Sequence, residues 1–84
     1  MEVKYKEGEE TMSLSDVPTG EKVRLVDVMA GRGLKMRLAV MGLLPGIEIT
    51  MAQNGGAGPV VIYVRNGKMI LGRGAARKVK VKIF

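Results

Sequence analysis

In the second half of the chain, Val60-Val61-Ile62-Tyr63-Val64 forms an almost unbroken β-branched run, Asn66-Gly67 follows, and Met69-Ile70-Leu71 resumes the apolar sequence. β-Branched side chains fit a pleated surface, and Asn-Gly accepts the positive φ angles of a type I′ turn. The segment therefore predicts a β-hairpin. A hairpin alone is marginal in water, so the rest of the chain must extend its sheet.

Three further strands can be read from side-chain alternation. Ile47, Ile49 and Met51 alternate with Glu48 and Thr50, and Val79, Val81 and Ile83 alternate with Lys78, Lys80 and Lys82. Lys22 to Ala30 is also extended, but its apolar phase changes from Val23 and Leu25 to Val26 and Val28, the trace of a bulge or of burial on both faces. Between the first two strands, Leu34, Leu38 and Met41 recur at i, i+4 and i+7, which predicts a helix over about 34–41. Gly42 suits a left-handed helix end and Pro45 bars the helix from resuming. Gly31-Arg32-Gly33 and Gly72-Arg73-Gly74 read as turns that use glycine's φ freedom, Ala75-Ala76-Arg77 as one helical turn, and Asn54 to Pro59 as a mobile loop.

Five short strands with one short helix define a mainly β fold, a small SH3-like five-stranded barrel that is partly open; a sandwich would need about seven strands. Residues 1–13 are polar, acidic and without period, and read as a flexible leader. Residues 14–84 then form a single domain.

Composition narrows the chemistry. The 84 residues contain no cysteine and no histidine, which removes disulfides, thiolate metal sites, the commonest transition-metal ligand and the commonest general acid/base near neutral pH. No catalytic, cofactor or metal site is expected, and the chain reads as a non-enzyme. Its methionines are spread through the periodic segments, as core fillers are, and not clustered as ligands for a soft ion. No apolar run approaches the length of a membrane span, and the first residues lack the apolar stretch of a secretion signal, so a cytoplasmic location is expected.

The formal charge is +6, and removing the −2 of residues 1–11 leaves +8 for residues 12–84, a balance that favours anionic partners. Lys78, Lys80 and Lys82, with Lys68 nearby, offer a basic stripe to phosphates. Lysines on a last strand also serve as protection of an exposed sheet edge. Nucleic-acid binding is the alternative function class, but base stacking needs exposed aromatics and Tyr5, Tyr63 and Phe84 are the only ones. A second candidate surface is Met41-Gly42-Leu43-Leu44-Pro45-Gly46, where two leucines share a tight connection. Either both cap the barrel end, or one projects as an anchor for a partner or for a second copy of the chain.

Leu14 to Gly20, Arg37-Leu38, Met41-Gly42-Leu43-Leu44-Pro45-Gly46, and Leu71-Gly72-Arg73 followed by Ala76 and Val79-Lys80-Val81 together resemble the FeoA family of small ferrous iron transport proteins, over about residues 14–83. The resemblance implies a cytoplasmic SH3-like protein, recruited to the inner face of the membrane, that supports a ferrous iron transporter whose cytoplasmic part hydrolyses GTP. On that basis Arg37, Met41, Leu43, Leu44, Pro45 and Arg73 are the expected protein-binding residues, with the transporter's cytoplasmic region as partner and membrane contact only through it. An arginine from this set entering the nucleotide site would be the boldest form of the same idea.

Overall fold

A computed structural model of the chain describes residues 11–65 and 67–84. Six strands form one antiparallel sheet: β1 (Met12–Ser13), β2 (Lys22–Val28), β3 (Glu48–Gln53), β4 (Val60–Val64), β5 (Gly67–Leu71) and β6 (Val79–Ile83), in the order β1-β6-β2-β3-β4-β5. Helix α1 (Arg32–Val40) joins β2 to β3, and the single-turn α2 (Arg73–Arg77) joins β5 to β6. The mainly β, SH3-like architecture with one short helix is as expected. The count of five strands is corrected to six, because Met12 and Ser13, assigned above to the leader, pair with Val81 and Lys80. Two residues are too few to show alternation, which is why no strand was visible there. Of the rest of that leader, residues 1–10 lie outside the described residues.

The core forms where the strand phases point inward. Val23 and Leu25 of β2, Ile49 and Met51 of β3, Val60 and Ile62 of β4, and Val79 and Val81 of β6 are buried, with Leu14 and Val17 closing one end from a 3-10 turn. The phase change in β2 is a bulge, since pairing with β6 shifts register between Leu25 and Asp27. Buried Val28 thus regains the inner face despite the odd spacing, and the strand gains the extra bend that a small barrel needs.

The hairpin is present, but its turn differs from the expected type. Val64 pairs with Gly67, and Arg65, just after Val64, lacks the positive φ that type I′ requires there. Gly67 carries the positive angle itself, at φ 119°. Asn66 lies outside the described residues.

Both Gly-Arg-Gly segments also differ from the turn reading. Gly31 and Gly72 are extended residues immediately before α1 and α2, and Gly33 and Gly74 lie inside those helices without positive φ. Helix α1 therefore begins at Arg32, its first turn closed by the Lys35 amide donating to the Gly31 carbonyl at 3.1 Å. Its end is as expected: Gly42 at φ 100° lets the Leu43 amide reach back to the Leu38 carbonyl and the Gly42 amide to the Ala39 carbonyl, both at 2.9 Å. That paired motif satisfies the last carbonyls of the helix and turns the chain sharply into the corner 42–47.

Candidate binding surface

The corner is fixed from beneath by the bulged strand. The Gly46 amide donates to the Leu25 carbonyl at 2.7 Å, and the Leu25 amide donates to the Ile47 carbonyl at 2.9 Å. Arg24 adds a guanidinium bond to the Gly46 carbonyl at 2.9 Å while lying over the Phe84 ring at 4.5 Å. Gly46 itself has φ 95°, a conformation that L side chains avoid. The connection is thus rigid, so a side chain projecting from it loses little further freedom on binding.

The two leucines divide. Leu43 is only 1% exposed and belongs to the core, which removes it from the expected contact set. Leu44 is 47% exposed, with exposed Pro45 beside it and Met41, also exposed, at the end of α1. Leu44 and Pro45 wall a groove on the sheet side, across from Tyr63 and Thr50, whereas Met41 belongs to a second groove of about 530 Å³ along α1 with Gly33, Met36, Arg37 and Val40. Exposed Met36 and Val40 carried no distinguishing signal in the sequence, because the inward stripe at Leu34 and Leu38 already accounted for a helix of that length.

The arginines divide likewise. Arg37 is exposed on α1, free to meet a partner. Arg73 is committed internally: Nε donates to the Gly58 carbonyl at 2.8 Å, Nη1 to the Ser15 carbonyl at 3.1 Å and Nη2 to Asn54 Oδ1 at 2.7 Å. Asn54 in turn donates from Nδ2 to the Ser15 and Val17 carbonyls. The loop read as mobile therefore has a firmly tied base, and Arg73 braces the barrel end instead of facing outward.

The lysines do not form one stripe. β6 lies between β1 and β2, and Lys80 faces Ser13 of β1, so edge protection cannot explain Lys80. The Cα partners of Lys80 and Lys82 on β2 are Asp27 and Arg24. Lys78 falls at the end of α2 and not on the strand, and Lys68 lies on β5, at the far edge of the sheet opposite Tyr63. Among acidic groups, Asp27 accepts from its neighbour's amide (Val28 N, 2.8 Å) and pairs with Lys35 at 3.3 Å. That backbone bond first, and Lys35 second, hold its carboxyl below the usual carboxylate range. No group of three or more His, Cys, Asp or Glu side chains that could hold a metal ion converges among the described residues. No helix there is long and apolar enough to cross a membrane.

A braced six-stranded barrel with a rigid apolar corner between two grooves defines a small SH3-like domain. A family model for the FeoA domain matches residues 12–83, and the chain belongs to the FeoA family. It is 35% identical over 63 residues to a Methanocaldococcus jannaschii protein described as an Fe(2+) transport protein A, covering 75% of this chain and 76% of that one. The crystal structure of an iron uptake regulatory protein, FeoA, superposes with a TM-score of 0.83 at 29% identity, covering 89% of this chain and all of the other. Stenotrophomonas maltophilia FeoA, crystallised with zinc and described as an SH3-domain protein proposed to activate ferrous iron transport, gives 0.74 at 26% identity, covering 84% and 89%.

Proposed function

We propose that this chain is a cytoplasmic binding module that docks on the cytoplasmic region of a membrane ferrous iron transporter, one with a GTP-hydrolysing domain, and regulates it by contact and not by catalysis. The observation that carries this reading is Leu44, exposed on a corner whose backbone is pinned to β2 on both sides of Leu25. An exposed apolar side chain on rigid backbone gains by being buried against a partner and loses little freedom in doing so. Pro45, Met41 and Arg37 complete the contact, while Leu43 and Arg73 support it from within. Family membership supports a transporter as the partner, and the relatives' association with ferrous iron supports that ion as its cargo.

The test is affinity for the transporter's cytoplasmic region, measured for the wild-type chain, Leu44→Asp and Arg37→Glu, with folding checked by circular dichroism. Loss of at least tenfold with Leu44→Asp is expected. Unchanged affinity in a folded Leu44→Asp variant removes the corner from the contact.

A further inference from the structure

The outer face of α1 is the least explained surface of the molecule. Val40 is 83% exposed and Met36 57%, and they stand with Gly33, Arg37 and Met41 at the i, i+3, i+4, i+7, i+8 positions of one helical stripe. The neighbouring stripe, Leu34 and Leu38, already anchors the helix to the core. A solvated helix has no need of the second apolar stripe.

Gly33 sharpens the question. It lies inside the helix without positive φ, and a Cβ there would meet nothing within 4 Å. Neither backbone conformation nor internal packing calls for glycine, which weakens a helix relative to alanine. Its effect is to leave a notch in the outer stripe, where another backbone can approach.

Charge selects among the occupants of such a stripe. Arg32, Lys35 and Arg37 are the charged residues of α1, all basic; Asp27 pairs with Lys35, and no carboxylate among the described residues pairs with Arg32 or Arg37. A second copy of the helix would set these cations against their own kind. An anionic bilayer fits poorly as well, since an interfacial helix keeps its cations on the face opposite its apolar one, whereas Arg37 stands among Met36, Val40 and Met41. An apolar stripe with a backbone notch and a central guanidinium fits a helix bearing a carboxylate beside its own apolar seam.

We infer that the outer face of α1 receives an acidic amphipathic helix of the partner, seated over Gly33 between Met36 and Val40 with a carboxylate on Arg37. This rests on the reading above that the α1 and corner surface is the contact, and it names the chemistry of what docks there.

The probe is an 18-residue amphipathic helical peptide with a leucine seam flanked by glutamates, compared with the same peptide carrying lysine for every glutamate, each titrated into the full chain and followed by backbone amide shifts. The glutamate peptide shifts Met36, Val40 and Met41 and binds at least tenfold more tightly than the lysine peptide. Gly33→Leu, which fills the notch with a better helix former, weakens it by at least tenfold without loss of fold, and Arg37→Glu inverts the preference between peptides. Equal binding of both peptides, indifference to Gly33→Leu, or binding to phosphatidylglycerol vesicles in place of the peptide overturns the inference. Competition with the transporter's cytoplasmic region separates the two readings. If that region binds through Leu44 and the glutamate peptide does not displace it, the helix inference falls and the transporter reading stands. If the peptide binds as described and the region does not bind at all, the reverse holds.

Discussion

Arg73 Nη2 stands 2.7 Å from Asn54 Oδ1, and that contact locks the loop after β3 to the start of α2. Each partner also bonds the Ser15 carbonyl, so three segments distant in sequence share one hydrogen-bonded node.

Removing either side of the node should destabilise the barrel without touching the binding surface. Arg73→Ala and Asn54→Ala are each expected to lose about 1–3 kcal/mol, since each leaves partly buried acceptors or donors unpaired. The double variant should lose less than the sum, because the residues act on the same carbonyl. Urea unfolding of the three variants measures this, and strict additivity would show that the contact is not coupled.

The leucine pair gives a cleaner separation of folding from binding. Leu43→Ala should cost about 2–5 kcal/mol, as for a buried large-to-small change, whereas Leu44→Ala should shift stability by under about 0.5 kcal/mol and act on affinity alone. Thermal melts and binding titrations on the same two variants check both halves.

Two glycines should respond in opposite directions. Gly46→Ala meets no atom within 4 Å yet must hold φ 95°, so about 1–2 kcal/mol of stability is lost to backbone conformation alone. Gly33→Ala, with ordinary helical backbone and open space, should gain up to about 1 kcal/mol. Denaturant midpoints decide the signs.

Asp27 makes a pH prediction. Its carboxyl is held below its unfolded value, so the stability it contributes is present above the ordinary carboxylate range and is lost as pH falls through the depressed folded value. The melting temperature of Asp27→Asn should therefore lie below that of the wild type at pH 7, and the gap should close in acid. A gap independent of pH would assign the effect to shape and not to charge.

Much of this architecture was legible because the signals were local. The stop at Gly42, the bulge in β2 and the alternation of β3 and β6 each lie within about ten residues of sequence. What sequence missed depends on distant partners. Asn54 looked like the start of a loose loop because its acceptors, the Ser15 and Val17 carbonyls, lie far away in the chain. Lys80 looked like an edge guard because the strand that covers it, β1, is only two residues long and lies far away in sequence. The exposure of Leu44 beside buried Leu43 was undecidable from the sequence, since two adjacent leucines in a turn look alike until the strand beneath fixes which one faces inward.

The position of β6 also bears on how the molecule is made. β2 is flanked on one side by β3, which follows about twenty residues later, and on the other by β6, which follows about fifty residues later. Until residues 79–83 emerge, Val23, Leu25 and Val28 lack part of the wall that buries them, and β1 lacks the strand it pairs with among the described residues. Pairings of such long sequence separation slow folding relative to local ones. The nascent chain can therefore order its corner early, but it holds a sticky half-barrel until β6 has emerged. Substitutions in β6 should thus affect yield in the cell more than their equilibrium cost alone would predict.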